Sequence, residues 1–175
     1  MQTPLVLTVL GQDRTGLVES LARLASDHGG NWLESRMCRL GGEFAGILRV
    51  QIPEERRTGF IAALDKLKET GLAIAVRPDS RAPAASPGTN LMSLELVGND
   101  RPGIVRQITA ALAGRGVNVE ELSTECCSAP MSGEPLFKAK ATLLVPEACD
   151  LQKLRQDLEK IAADLMVDLR LAPVV

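Results

Sequence analysis

The sequence predicts an α+β fold of two ferredoxin-like βαββαβ modules in tandem, each an antiparallel sheet with both helices on one face. The first supporting observation is an internal repeat. The segment Gly11–Val18 (GQDRTGLV) returns 87 residues later as Gly98–Val105 (GNDRPGIV), with five of eight positions identical. The second observation is that the same order of apolar runs and turn residues follows each copy of the segment. Internal repeats of this kind define the architecture before individual elements are assigned.

The repeat divides the 175 residues into a first module at 1–78, a linker at 79–89 and a second module at 90–175. The linker is rich in Pro, Ala and Ser and carries no periodic pattern of its own. Within the modules, Asn31 returns as Asn118 at the same offset of 87 residues.

In the first module each predicted element has a local signal. An apolar run ended by Gly11 is typical of a buried strand, and apolar residues at helical spacing follow it. The Gly41-Gly42 pair predicts a hairpin. The predicted elements are a strand at 5–10, a helix from Leu17 to His28, strands at 31–40 and 43–52, a helix carrying Phe60, Leu64 and Leu67, and a strand at 72–76.

The second module repeats this order. The offset rises from 87 to 93 residues within its hairpin, which places six extra residues around Ser128–Gly133. Long hairpin loops often carry function, so this insertion is either a partner-binding surface or an exposed tip. The predicted elements are a strand at 91–97, a helix from Ile104, strands at 117–127 and 136–145, a helix from Leu151 to Leu165, and a strand at 166–171.

Composition excludes several classes of function. Aromatic residues make up 2% of the chain, the net charge is −2, and no basic patch is visible, so we expect no direct contact with nucleic acid. The sequence has no apolar run long enough to span a membrane, and no charged segment precedes the first strand, so we expect a cytoplasmic protein with reduced cysteines.

The loop between the first strand and first helix of each module is the candidate site. We expect Gly11 and Gly98 to turn the backbone, and Asp13 or Asp100 to cap the helix that follows. The other motif positions have assigned roles too: Pro102 is predicted to occupy the first helical turn, and Gly16 and Gly103 to allow a ligand close approach.

A helix N-terminus carries free N–H groups and a positive dipole end, which suit a carboxylate. A neighbouring aspartate suits an ammonium group. Together these groups describe an amino acid. The alternative is a helix after an ordinary turn, but the repetition of the arrangement in both modules favours a binding site.

The pattern Gly-x-Asp-Arg-Pro-Gly-Ile-Val, followed by a helix and an Asn at the start of the next strand, resembles the ACT domain, an amino-acid-binding regulatory module. The first copy departs from it, with Thr15 in place of Pro. Two such domains in tandem resemble the repressors of the glycine cleavage system, a family of ACT-domain proteins.

This resemblance implies a regulatory protein without catalytic residues, cofactor or metal. It implies side-by-side pairing of modules, a homodimer, and effectors bound at interfaces between modules. It also implies a DNA-binding transcription regulator as partner. By the same resemblance, the candidate ligand contacts are Gly11, Asp13, Gly16 and Asn31 in one site, and Gly98, Asp100, Pro102, Gly103 and Asn118 in the other. Glycine is the favoured ligand, because Leu17 and Ile104 are expected to crowd the site.

Two alternatives remain open. The chain could instead be the regulatory subunit of an amino-acid biosynthetic enzyme, or a catalytic protein using Cys126 or Cys127. No activating base is visible for either thiol. The single histidine, His28, is interpreted as structural, while Trp32 belongs either to the core or to an interface between modules.

Overall fold

A computed structural model describes residues 1–79, 88–129 and 133–174. The chain divides into two compact units on either side of residues 80–87. Most of the predicted linker at 79–89 therefore lies outside the described residues, as do residues 130–132 of the predicted insertion. None of the described helices is both long and apolar enough to cross a bilayer.

Each unit has the predicted βαββαβ order. In the first module the elements are β1 (Gln2–Gln12), α1 (Leu17–Asp27), β2 (Asn31–Leu40), β3 (Glu43–Pro53), α2 (Arg57–Lys68) and β4 (Ala73–Pro78). In the second they are β5 (Thr89–Asn99), α3 (Ile104–Gly114), β6 (Asn118–Ser128), β7 (Pro135–Pro146), α4 (Leu151–Leu165) and β8 (Val167–Pro173). A short 3-10 turn at Glu54–Arg56, which the sequence analysis did not predict, precedes α2.

The sheet topology is the same in both modules. The strand order is β2-β3-β1-β4 in one and β6-β7-β5-β8 in the other, and all neighbouring strands are antiparallel. In each module the two helices bury their apolar side chains against the same face of the sheet, in a single core cluster. The predicted fold class is confirmed, and β2 and β6 are edge strands.

The opposite, open faces of the two sheets differ in chemistry. Strand residues alternate between the two faces of a sheet. In the first module the open face carries Leu10 and Ile47, whose exposed fractions are 49% and 54%. It also carries the charged Arg49. In the second module Lys140 takes the place of Ile47 and pairs with Glu95 at 3.2 Å, while Val97 is 40% exposed. The two modules therefore share a backbone and core pattern but present different surfaces.

Gly11 and Gly98 are not turn residues, contrary to expectation. Both lie inside strands, where Gly11 pairs with Phe44 and Gly98 pairs with Phe137. Their lack of a side chain serves close packing. A Cβ on Gly11 would lie 2.9 Å from the carbonyl oxygen of Gly71. A Cβ on Gly98 would lie 2.9 Å from Cα of Val167.

The second-module helix α4 begins with a side-chain cap. The Asp150 carboxylate accepts hydrogen bonds from the backbone N–H groups of Gln152 and Lys153, both at 3.1 Å. The bond from Lys153 is the main cause that lowers the pKa of Asp150, with the nearby Lys153 charge adding to it. At the other end of the same helix Met166 is left-handed, with φ of 55°, so it ends the helix and does not begin the strand as expected.

We expect the substitution Gly98→Ala to destabilise the second module by about 1–3 kcal/mol, because the new methyl group overlaps Val167. Gly114→Ala is the matched control. Gly114 is helical and has open space around its Cβ position, so this change should stabilise by about 0.5–1 kcal/mol. Urea unfolding of both variants checks the prediction, and equal effects would contradict it.

Asp150 should also give the second module a dependence on acid pH. Its folded pKa lies below the ordinary value, so its stabilising effect is present above about pH 4 and is lost as the pH falls further. Asp150→Asn keeps a capping oxygen without the charge. The free energy of unfolding should therefore decrease less between neutral and acid pH in Asp150→Asn than in the wild type. Asp164→Asn, at the exposed end of α4, is the control and should follow the wild type.

Candidate functional site

The predicted site loop lies in the same place in both modules. Residues 13–16 join β1 to α1, and residues 100–103 join β5 to α3. The backbone N–H of Asp13 donates to the carbonyl of Gly42 at 2.9 Å, and that of Asp100 donates to the carbonyl of Pro135 at 3.0 Å. Each loop is thereby fixed to its neighbouring hairpin.

The helix after each loop begins at a left-handed glycine and not at an aspartate. Gly16 and Gly103 are the N-cap residues, with φ of 91° and 94°, and neither helix start has a side-chain cap. The prediction that Asp13 or Asp100 caps the helix is therefore wrong. Pro102 precedes the N-cap residue and lies outside the first helical turn, which corrects its expected position as well.

Because neither helix has a side-chain cap, backbone N–H donors remain where each loop meets its helix. The first intrahelical bonds run from Ser20 N–H to the Gly16 carbonyl at 2.9 Å and from Gln107 N–H to the Gly103 carbonyl at 3.0 Å. The three preceding N–H groups of each helix have no intrahelical acceptor, and they carry the positive end of the helix dipole. Apart from its own neighbours in the chain, no described residue has an atom within 4 Å of the place where Gly16 would carry a Cβ.

The two loop aspartates face different partners. Asp13 forms an ion pair with Arg39 of β2, with the guanidinium Nε at 2.7 Å from a carboxylate oxygen. Asp100 lies beside Cys126 of β6, and its carboxylate contributes to raising the pKa of that thiol. Arg39 and Cys126 occupy equivalent positions, since they pair with Phe44 and Phe137 respectively.

This substitution changes the electrostatics of the second loop. Cys126 is an exposed cysteine; partial loss of solvent around its thiol is the main cause that raises its pKa, and the Asp100 carboxylate raises it further. The thiol beside Asp100 is therefore neutral at physiological pH. In the part of the chain that the structure describes, no Lys or Arg lies within ion-pair distance of Asp100. The carboxylate of the second loop is thus available to a cation, whereas that of the first is occupied.

The predicted asparagines lie at the other end of their modules. Asn31 pairs with Gln51, which pairs with Pro4 in β1. Pro4 is seven residues along the strand from Gly11, a separation of about 23 Å. Asn118 is in the same position in the second module, through Leu144 and Leu91. The structure therefore does not bring the asparagine and the loop of one module into a single site, as the sequence analysis expected.

The loop residues themselves are brought together. In each module the strand glycine, the aspartate and the N-cap glycine all lie at the same end of the sheet. Leu17 and Ile104 do not crowd this end, because both are 3% exposed and their side chains belong to the core. The steric reason for favouring glycine as ligand is therefore removed.

Other residues of the first module have structural partners. His28 follows α1, where its Nδ1 lies 2.8 Å from the Leu24 carbonyl and its ring packs edge-on against Phe60 at 5.7 Å. Arg14 donates to the Thr70 hydroxyl at 2.7 Å. Trp32 is half-buried and packs against the first core.

Cys127 points away from Cys126, as expected for neighbours on a strand. It is the main cause that raises the pKa of the nearby Lys138, to which the Glu125 charge adds. Cys127 thus belongs to the charged open face and lies away from the loop.

The sequence analysis did not identify the residue opposite each loop aspartate. A signal was present, because Arg39 and Cys126 are 87 residues apart, the offset of the repeat. Recognising its meaning required the knowledge that this position of the edge strand faces the loop.

Comparisons with known proteins agree with the fold that the internal repeat predicts. The ACT domain family model matches residues 3–77. The glycine cleavage system transcriptional repressor of Escherichia coli (strain K12) is 26% identical over 163 residues, which are 92% of this chain and 85% of the repressor.

Solved structures give the same fold over the whole chain. A protein of unknown function from Galdieria sulphuraria is 31% identical, with a TM-score of 0.86 and full coverage of both chains. A structure provisionally identified as a glycine cleavage system transcriptional repressor is 21% identical, with a TM-score of 0.69 over 99% of this chain and 98% of its own. The second of these likenesses concerns the fold alone.

The contact between Asp100 and Cys126 can be tested by thiol alkylation. Because the Asp100 charge contributes to the raised pKa of Cys126, Asp100→Asn should increase the fraction of thiolate and make Cys126 react severalfold faster with iodoacetamide at pH 8. Mass spectrometry of the modified peptide measures the rate. Asp13→Asn is the matched control and should leave the rate unchanged. An unchanged rate in Asp100→Asn would contradict the contact.

Proposed function

Residues 3–77 belong to the ACT domain family, and because residues 90–175 repeat their fold, we propose that this chain is a non-enzymatic sensor that binds a free amino acid through its second module. The observation that carries the proposal is the difference between the two loop aspartates. Asp13 already forms an ion pair with Arg39, whereas Asp100 lies beside the thiol of Cys126 and forms no ion pair with a described residue.

The groups at the second loop complement both charges of an amino acid. The carboxylate of Asp100 accepts the ligand's ammonium group. The unbonded N–H groups at the start of α3 donate to its carboxylate. Among the described residues other than its chain neighbours, the Gln107 side-chain amide alone lies near the Cβ position of Gly103, at 3.7 Å, so backbone and ligand can approach closely.

The asparagine contacts that the ACT resemblance implies require a second copy of the chain. Asn118 lies about 23 Å from its own loop, but β6 is an edge strand. Two copies paired antiparallel along β6 would be related by a two-fold axis, which sets the loop end of one against the asparagine end of the other. The proposed sensor is therefore a homodimer, with Asn118 completing the site of its partner.

The proposed partner of the sensor is a DNA-binding transcription regulator. The E. coli relative is named a transcriptional repressor, yet this chain has a net charge of −2 and 2% aromatic residues, a composition poorly suited to nucleic acid. Regulation through contact with another protein fits both facts. Ligand binding at the dimer edge would change the surface that this partner meets.

Calorimetric titration tests the binding loop. The probes are glycine, alanine, serine, valine and leucine, added separately to the purified chain. The wild type should bind one of them with one site per chain. Cys126→Arg supplies Asp100 with the cation that Asp13 has, and should weaken binding roughly two- to fivefold, the size expected for competition by an exposed ion pair.

The reverse change tests the other loop. Arg39→Cys frees Asp13 and should raise the stoichiometry towards two, while Asp13→Asn should leave the wild-type affinity unchanged. Loss of binding in Asp13→Asn would place the site in the first module and overturn the assignment. No heat with any of the five amino acids would overturn the sensor itself.

A further inference from the structure

A groove runs between the two helices of the second module. All of its lining residues belong to α3 or α4, so it lies on the helical face of the module. Its volume is about 440 Å³. The small side chains of Ala110 and Ala111 line its α3 side, and the half-buried Ile161 lines its α4 side. A surface of this shape can receive another helix.

The groove is open because α3 has short side chains where α1 has long ones. By the repeat offset, Ala110 takes the place of Arg23, which forms an ion pair with Glu19 at 3.4 Å. Ala111 takes the place of Leu24, which packs against the core of the first module. A neighbouring helix can therefore approach α4 more closely in the second module than α2 in the first.

The side of α4 that borders the groove alternates in charge. Residues at spacings of four, three and four positions lie along one stripe of a helix. The stripe of α4 carries, in chain order, Lys153, Asp157, Lys160 and Asp164, and its last three residues line the groove. Among the described residues, Lys160 and Asp164 have no ion-pair partner.

The other two charges of the stripe are also accessible. Arg115 donates twice to Asp157, at 3.0 and 2.6 Å, but both bonds end on the same oxygen, Oδ2. The Oδ1 atom of Asp157 can therefore accept from another donor. Lys153 lies 3.6 Å from Asp150 and its side chain is 65% exposed, so its ammonium group can also reach a partner.

The first module lacks this pattern. An offset of 94 residues brings the buried Phe60 of α2 onto the buried Leu154 of α4. With this alignment, the equivalent stripe of α2 carries Gly59, Ala63, Lys66 and Thr70. Only one of these four residues is charged, so the alternation belongs to the second module.

The order of the charges makes the stripe of α4 complementary to itself. The outer pair, Lys153 and Asp164, has its midpoint between residues 158 and 159. The inner pair, Asp157 and Lys160, has the same midpoint. When two copies of α4 pack antiparallel about a two-fold axis at this level, Lys153 meets Asp164 of the partner subunit and Asp157 meets Lys160 of the partner subunit. Symmetry repeats both contacts, so the stripe forms four pairs of opposite charge and none of like charge.

We propose that the helical face of the second module binds a second copy of this chain, through antiparallel packing of α4 against α4. Each exposed ion pair contributes little alone, so the four pairs act together with the apolar groove beside them. This contact is separate from the β6 edge and goes beyond the proposed sensor. Together with pairing along β6, it would link two dimers.

Variants with a stripe of a single charge test the contact. Lys153→Glu with Lys160→Glu makes the stripe wholly acidic, and Asp157→Lys with Asp164→Lys makes it wholly basic. Each variant repels its own copies, so its self-association should be at least about tenfold weaker than that of the wild type. Sedimentation equilibrium at high protein concentration should give each variant half the mass of the wild-type assembly. An equimolar mixture of the two variants should recover the wild-type mass, because the acidic stripe then meets the basic one.

The matched control is Lys66→Glu with Lys68→Glu on α2, which changes the net charge as much as the acidic variant does and should keep the wild-type mass. A wild type with the same mass as both single-charge variants would overturn the proposal. A mixture that stays at the mass of the separate variants would overturn it as well. Should either double variant fail to fold by circular dichroism, Lys160→Glu alone retains the test, because it makes two of the four pairs repulsive. These masses do not depend on amino-acid binding, so their outcome is distinct from that of the calorimetric titration.

Discussion

The close approach of the last strand of each module to the end of its central strand is the constraint on which the site depends. Gly11 and Gly98 have no side chain at the point of approach, where a Cβ would meet the neighbouring backbone at 2.9 Å in both modules. The loop leaves the sheet two residues after this contact, at Asp13 and Asp100. The helix that follows must then begin within a few residues, and a left-handed glycine makes that turn without steric cost. The uncapped N–H groups at the loop follow from this geometry.

Duplication allowed the two modules to keep this geometry and change the residues around it. The backbone pairing, the loop and the N-cap glycine are the same in both. On the helix-covered side of the sheet a small set of side chains differs: an arginine, a tryptophan and a leucine of the first module are replaced by Cys126, Val119 and Ala141. The first module thus has a neutralised loop and a filled core, and the second an available carboxylate and smaller core side chains.

Most of the fold could be predicted from the sequence, and part of the site could not. Strands, helices and their order follow from periodicity and turn residues, which are local signals. The roles of Asp13 and Asp100 were mistaken as helix caps, because their direction depends on the edge strand that faces them across the sheet. The separation of Asn31 from the loop follows from strand register, which no short motif encodes. Glycine in a motif was read as a turn residue, although at Gly11 and Gly98 it serves packing between strands.

The packing of the second core also has a mechanical consequence. An apolar cavity of about 30 Å³ lies between α3 and its sheet, where Leu48 and Trp32 fill the equivalent space of the first module. Unfolding removes internal voids, so hydrostatic pressure favours the unfolded state more where a larger void volume is lost. Within one chain, therefore, pressure should favour unfolding of the second module more than that of the first.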